Sequence, residues 1–392
     1  MSLSILAVVP LPPWRTGAAV VCAELLRALA ARGHRIRALA PVTPDAPGSA
    51  SPPAAGRGEL CVSWFPVPYF APFDDAVPDE YRRLEGASIH KWLRECIAAE
   101  RPDVLVVGRG AYGLHVPTVA RDAGLPCLLI SHGGPAGGVS ADGSWSRIVA
   151  ALADANLVVT PARHWAEVLG RLGLPRVAVI PNPVDHERFA PRAPDEALAR
   201  DLRLGAGRVV VMHASNLQAV KRPMDLVASA ERALRLDSRL VYVVVGDGPN
   251  GEAMVAACRR RGLGDHFRFV GWVPHERMPA LLGLADVVVM MSEQETQSLL
   301  YLEAQASGRV LLSSDVPGAR EVVADGETGV LYRSGDVEDL ARRTAEIAGR
   351  PAWRAEVGRA ARERVAAHAL PVIAARYERT LEALARGAPV PG

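Results

Sequence analysis

Apolar residues fall along this chain in short unbroken runs, separated by longer stretches in which they recur every three or four positions. The run "SILAVVP" reads as a buried strand. It is followed by "AAVVCAELLRALAARGH", where Val21, Leu25 and Leu29 share one helical face and Gly33 closes the helix. "RIRALAP" is the next strand. A Pro-, Gly- and Ser-rich stretch from Pro41 to Gly58 reads as a long surface loop. The alternation then resumes with "SIHKWLRECIAAERP" (helix), "DVLVVGR" (strand), "HVPTVARDAGLP" (helix), "CLLISHGG" (strand and loop), "SRIVAALADA" (helix), "NLVVTPA" and "RVAVIPNPVD".

A polar segment, roughly Asp185 to Gly207, precedes a second series: "RVVVMHASN", "LVYVVVGDG", "FRFVGW", "ADVVVMMSE", "RVLLSSD" and "TGVLYRS", with helical patterns between. Strands that are continuous Val/Ile/Leu runs and alternate with helices indicate parallel sheets covered on both faces. The pattern therefore predicts an α/β protein of two doubly wound, Rossmann-like domains, residues 1–185 and 205–370. A last helix, about 371–386, has no strand after it and is expected to pack back on the first domain. Ligands of such sheets bind at the carboxyl ends of the strands.

Composition narrows the function classes. With 392 residues the chain is long enough for two cores. The balance of 45 Lys+Arg against 43 Asp+Glu gives no electrostatic case for nucleic acid. No run of 18 apolar residues suggests a membrane span. The N-terminus carries no basic region ahead of its apolar run, so it reads as a strand and not a signal peptide. Five scattered cysteines without CxxC spacing fit reduced thiols and a cytoplasmic protein. No His/Asp cluster or Asp-x-Asp element suggests an obligatory metal or cofactor.

The stretch with most chemical content is "SEQETQSLLYLEAQASG", Ser292 to Gly308. It follows a strand and reads as a helix from near Gln297 to Gly308, with Glu295 before the first turn and Glu303 inside. Eight residues at helical rise span about 12 Å, near the separation of a ribose from a sugar joined to it through a diphosphate. The helix N-terminus between the acids would face the diphosphate with free N–H groups. Carboxylates accept hydrogen bonds from sugar hydroxyls. The plainer alternative is that Glu303 is an ordinary helix acid and Glu295 merely favours the helix dipole.

The stretch resembles the EX7E motif of family 4 retaining glycosyltransferases. Its continuation, "RVLLSSDVPGAREVVADGETGVLYRSGDVEDLA", looks like that family's. The resemblance covers essentially the whole chain and is strong from Val209 to Leu340. It implies a GT-B fold, two facing Rossmann-like domains with a cleft between them, and transfer of a sugar from a nucleoside diphosphate, UDP or GDP, with retention. Carried over residue by residue, Glu295, Thr296, Gln297 and Ser298 would hold the donor sugar and Glu303 the ribose. Ser298, Leu299, Gly17 and Lys221 would meet the diphosphate, with Arg222 beside Lys221. His132 of "ISHGG" would reach toward the reacting sugar, so His132, Lys221 and Glu295 are the catalytic candidates. Gly246 of "VVVGDGP" and Val270, Trp272 and Val273 would surround the base. Arg15, Thr16, Gly133 and Gly134 would face the acceptor, with the loop Gly133–Trp145 as the acceptor loop. The mechanism implied is front-face attack, with the leaving diphosphate itself taking the proton and no protein nucleophile.

Three departures stand out. Asn216 occupies a position where many relatives carry an arginine that clamps the diphosphate. Arg15-Thr16-Gly17 retains one glycine where two small residues are usual. Gln297-Ser298 replaces a common Phe-Gly, which predicts a donor sugar other than plain glucose or N-acetylglucosamine, or one held differently. The form "SN....KR..DLV" looks most like the bacillithiol-type glucosaminyl-malate synthases. It points to a small polar acceptor, thiol-bearing or an antibiotic precursor, as in aminoglycoside glycosylation or the S-glycosylation of ergothioneine in lincosamide assembly. Two rival readings stand beside this one: a nucleotide-sugar 2-epimerase of the same fold, and a nucleotide-sugar-binding protein without catalysis, a monomer or homodimer in either case.

Overall fold

In the computed structural model the chain divides into two compact units, residues 1–183 with 370–392 and residues 184–369. The structure describes residues 1–12, 14–42, 58–66, 79–108, 115–133, 149 and 152–390. Most of the stretch read as the Pro41–Gly58 loop, half of the helix at 146–155, Gly134, and the acceptor loop beyond Gly133 lie outside the described residues.

The first unit carries β1 (Ser4–Val8), α1 (Gly17–Ala31), β2 (Arg35–Val42), β3 (Leu60–Pro66), α2 (Asp79–Glu100), β4 (Val104–Gly108), α3 (Val116–Asp122), β5 (Cys127–Ile130), β6 (Leu157–Thr160), α4 (Arg163–Arg171) and β7 (Val177–Val179). Its sheet is parallel throughout, in the order β3-β2-β1-β4-β5-β6-β7. Strand β1 shows why the apolar runs do not alternate with polar residues. Ile5 and Ala7 face one buried cluster and Leu6 and Val8 another on the opposite face.

The second unit opens with α5 (Glu196–Asp201) and β8 (Val209–Ala214), then α6 (Pro223–Leu236), β9 (Leu240–Val245), α7 (Gly251–Arg260), β10 (Phe267–Gly271), α8 (Met278–Leu284) and β11 (Val287–Met290). It continues with α9 (Leu299–Ala306), β12 (Val310–Ser314), α10 (Pro317–Arg320), β13 (Val330–Tyr332), α11 (Val337–Ala348) and α12 (Pro351–Val365). The parallel strand order is β10-β9-β8-β11-β12-β13. The order reverses between β8 and β11, so the crevice for a ligand opens beyond the carboxyl ends of those two strands. The segment read as a polar connection belongs to this unit, with Val184 and Phe189 buried in its core.

The last helix, α13 (Leu370–Ala385), packs on the first unit. Ile373, Ala374, Tyr377 and Leu381 join Leu25, Leu26 and Leu29 of α1 in one buried cluster. Polar contacts fix its register. Glu378 accepts from Arg32 Nε at 2.8 Å and from the buried His34 Nε2 at 3.0 Å, while His34 Nδ1 accepts from the Leu3 amide at 3.1 Å. The Arg376 guanidinium donates to the Val179 carbonyl at 2.9 Å. No helix among the described residues is long and apolar enough to cross a membrane.

If α13 is part of the first core, Leu381→Ala should cost that unit about 2–5 kcal/mol, the usual loss for a fully buried leucine. Urea unfolding followed by tryptophan fluorescence reads this. A midpoint equal to the parent's would mean the helix contributes no core.

Candidate functional site

The carboxyl ends of β8 and β11 lie side by side at the reversal of strand order in the second unit. The loop after β8, Ser215-Asn216-Leu217, makes two sharp adjustments. Leu217 takes φ 45° and Arg222, at the N-cap of α6, takes φ 47°, both in the left-handed region that costs a non-glycine residue about 1–2 kcal/mol. Asn250 offsets this at Leu217, giving both its backbone and side-chain N–H to the Leu217 carbonyl at 3.2 and 2.8 Å. Ser215 Oγ accepts from the Leu217 amide at 3.1 Å and lies 2.8 Å from His213 Nε2. Since His213 Nδ1 faces the Val289 carbonyl at 2.9 Å, that nitrogen carries the proton and Nε2 accepts from the serine hydroxyl. Burial pushes His213 down to about 4, so it stays neutral and ties β8 to β11.

These turns bring Lys221 Nζ to 2.5 Å from Glu295 Oε1. The same oxygen accepts from Ser292 Oγ at 2.7 Å. The Glu295 side chain is 7% exposed and that of Lys221 21%. Two donors on one carboxylate oxygen satisfy a group that has lost most of its water. Sequence reasoning placed Lys221 on the diphosphate and Glu295 on the sugar; the structure brings the two together, each as the other's partner. It also seats Glu293 on this loop, where its amide donates to the Val220 carbonyl at 2.8 Å.

The loop Glu295–Ser298 stays outside the helix for longer than expected, because α9 begins at Leu299 and not near Gln297. Close packing explains the delay. A Cβ on Gly318, in α10, would stand 2.3 Å from the Glu295 carbonyl oxygen and 2.5 Å from that of Thr296, so the glycine lets α10 press on this loop. Gln297 is buried, and Ser298 is the N-cap residue of α9 with no side-chain cap bond. The Ser298 side chain thus leaves the first-turn N–H groups of α9 without its cap, and Glu295 lies three residues before that positive end of the helix dipole.

Glu303, inside α9, has a side chain 7% exposed. His275, in the turn after β10, lies with Nε2 2.6 Å from Glu303 Oε1. Arg188 Nη2 in turn lies 2.6 Å from His275 Nδ1. This places the acid beside the segment Val270–Val273, expected at the base, where Trp272 is 42% exposed. Gly246 directly follows β9. Its N–H donates to the Gly271 carbonyl at 2.7 Å, and a Cβ there would meet the Ser215 carbonyl oxygen at 1.9 Å, so it lets the β9 and β8 loops touch. Arg222 is held by Asp225, Nε to Oδ2 at 2.7 Å, and packs on Gly335. Asn216 is exposed.

In the first unit, Thr16 accepts from the Ala19 amide at 3.2 Å as the N-cap of α1, and Gly17 and Arg15 are beside it. His132 and Gly133 follow β5 and are partly buried. His132 Nε2 lies 3.6 Å from Cys22 Sγ, whose thiol burial pushes up to about 12. Among the described residues no group of three or more His, Cys, Asp or Glu side chains could hold a metal ion. Sequence reasoning missed Ser292, His275, Arg188 and Cys22. A mid-helix glutamate in an apolar run signals a buried partner, but not which residue supplies it.

Two Rossmann-like parallel sheets, one with an acid–lysine pair at its switch point, define a doubly wound α/β class of protein. The chain belongs to the group 1, family 4 type of GT-B glycosyltransferases: residues 195–364 match the model described as glycosyl transferases group 1, and residues 15–188 that of glycosyltransferase family 4. A D-inositol 3-phosphate glycosyltransferase of Nocardia farcinica is 33% identical over 48% of this chain and 43% of its own length. A 2-deoxystreptamine N-acetyl-D-glucosaminyltransferase of Streptomyces fradiae is 35% identical over 50% of this chain and 48% of its own. The chain thus spans under half the length of these curated relatives. Among solved structures, the sucrose-phosphate synthase of Thermosynechococcus elongatus aligns with TM-score 0.79 over 98% of this chain and 100% of that one, at 19% identity. Anabaena HepE in complex with UDP-glucose aligns with TM-score 0.76 over 97% and 100%, at 18% identity. At that identity these two show the fold.

A pH prediction follows from His213. Its folded value of about 4 lies below the unfolded value near 6.5, so the unfolded chain binds the proton first as pH falls. The stabilisation is whole above pH 6.5 and is lost between 6.5 and 4, by about 3 kcal/mol. His213→Gln should flatten that limb of a stability–pH curve. An unchanged slope would remove His213 as its source.

A second prediction concerns the ion pair. Lys221→Met leaves a nearly buried carboxylate short of a donor and should cost roughly 1–3 kcal/mol. The double variant with Glu295→Gln should recover part of this in a thermal-unfolding cycle, and strict additivity would argue against the pairing.

Proposed function

We propose that this protein is a retaining glycosyltransferase that moves a sugar from a nucleoside diphosphate sugar, UDP or GDP, to a small polar acceptor. The observation that carries the reading is the arrangement along α9. Glu295, Lys221 and the uncapped N-terminus stand at one end, and Glu303 stands beside the Val270–Val273 segment at the other. A nucleoside diphosphate sugar presents a sugar, two phosphates, a ribose and a base in that order. Lys221 would turn from Glu295 to the diphosphate and stabilise its growing charge on departure, together with the first N–H groups of α9; a donor of this kind contributes about 3 kcal/mol to the barrier. Glu295, freed of Lys221, would accept from a donor-sugar hydroxyl.

The names of the matched relatives support a small polyhydroxylated acceptor, since they describe transfer involving inositol 3-phosphate and 2-deoxystreptamine. The solved Anabaena neighbour with UDP-glucose supports UDP as a candidate donor carrier. Gln297, which is buried, and Ser298 stand where the resembling family commonly carries Phe-Gly, and the pair favours a donor sugar other than plain glucose or N-acetylglucosamine, or one held differently. The reading with binding but no turnover draws on Asn216, which leaves the loop after β8 without an arginine.

Titration with UDP and GDP tests the first step. At about 100 times its dissociation constant the correct nucleotide should raise stability by about 2.7 kcal/mol, and Glu303→Ala should abolish most of the shift. No shift with either would sink the donor reading. With a nucleotide assigned, a panel of its sugars followed by NMR reads turnover and the anomer formed. A wide preference for the glucosyl donor would refute the role given to Gln297, and an inverted product would refute retention.

A further inference from the structure

Glu303 can hold a ribose only if its carboxylate keeps one orientation while buried. We propose that His275 and Arg188 are the positioning residues that meet this requirement. Arg188 fixes the tautomer of His275, and His275 fixes Glu303. The inference rests on the donor reading above and names two residues that reading leaves out.

The chemistry of the three side chains permits one hydrogen-bond direction. A guanidinium has donors and no acceptor, and Arg188 Nη2 lies 2.6 Å from His275 Nδ1 and 3.5 Å from Nε2, so the cation stands nearer Nδ1 and favours the tautomer in which that nitrogen carries no proton. A neutral imidazole then carries its proton on Nε2, and Nε2–H donates to Glu303 Oε1 at 2.6 Å. Glu303 is thereby given a donor on Oε1, and its other oxygen is the one to accept from a vicinal diol. If the tautomer were reversed, a lone pair would face the carboxylate and push it away.

The backbone holds this chain of contacts in place from its far end. The Arg188 amide donates to Asp185 Oδ1 at 2.9 Å, the Phe189 amide to the Asp185 carbonyl at 3.0 Å, and the Arg188 carbonyl accepts from Arg192 at 2.5 Å. Phe189 is buried, with the Arg188 guanidinium 5.0 Å above its ring and the His275 ring 5.5 Å away. The imidazole is therefore confined by an aromatic face, a guanidinium and a carboxylate. A histidine needed only to fill space would not require the arginine to choose its tautomer.

The experiment measures calorimetric binding of UDP and of 2′,3′-dideoxyuridine diphosphate, with the GDP pair in parallel, to the full chain and to His275→Leu, His275→Gln and Arg188→Met. The expected result is that His275→Leu weakens the ribonucleotide about tenfold or more, the worth of one hydrogen bond to a charged group, and leaves the dideoxy form nearly unchanged. His275→Gln should restore much of the difference, because its amide can donate to Glu303 and accept from Arg188. In nitrogen-15 NMR of labelled histidine, His275 should show a bare Nδ1 and a protonated Nε2, and Arg188→Met should mix the tautomers. Equal loss of both nucleotides in a folded His275→Leu, or no loss of either, would overturn the proposal while leaving the donor reading intact. Failure of the parent chain to bind any of the four would overturn both.

Discussion

The second unit is organised around the need to keep two carboxylates charged with little water near them. A carboxylate moved out of water without donors loses several kcal/mol or takes up a proton. Glu295 and Glu303 are each 7% exposed at the side chain, so each must be given donors by the surrounding chain. Lys221 and Ser292 do this for the first and His275 for the second. The left-handed residue before α6, the glycine of α10 pressed on the Glu295 loop, and the anchored turn at Asp185–Arg188 each set one of those donors in place.

The topology makes such a supply possible. At a switch point, two neighbouring strands send their following helices to opposite faces, which leaves a crevice lined by two loops and no side chains of a covering helix. The loops after β8 and β11 line it here. His213, buried and neutral, joins the strands just below, from the Val289 carbonyl to Ser215 Oγ. The ion pair above it and the uncapped end of α9 therefore rest on a fixed floor. Preorganisation of this kind is what electrostatic stabilisation of a leaving group requires, since donors already in place cost no reorganisation when charge develops.

Much of this was legible in the sequence because it is local. Unbroken apolar runs such as "VVVMHA" predicted strands buried on both faces, and β8 indeed sends Val209 and Val211 to one cluster and Val210 and Met212 to the other. The spacing from Glu295 to Glu303 placed one acid before a helix and one inside it. What was not legible depends on distant segments. Arg188 and His275 stand 87 residues apart, and no periodicity links them. The start of α9 was set two residues early, because the glycine packed against the loop belongs to α10. That Gly246 packs without a Cβ against the Ser215 carbonyl is likewise invisible in the sequence.

The departure at Asn216 gains meaning in this light. An arginine there would add a second mobile cation to a crevice where Lys221 is already committed to Glu295. Arg222 does not stand in for it, because Asp225 holds its guanidinium and raises its affinity for the proton further. On the proposed donor reading, stabilisation of a departing diphosphate would then fall on Lys221 and on backbone N–H groups at the start of α9. Backbone donors carry no side-chain entropy and cannot be drawn off by a neighbouring acid. They also fix direction: a phosphate bound at the first turn of α9 lies along the helix axis, between the acid before the helix and the acid within it. A site that relied on the helix more than on a second cation would draw its selectivity from the distance between those two acids, which is set by the rise of α9 together with the loop that Gly318 packs against.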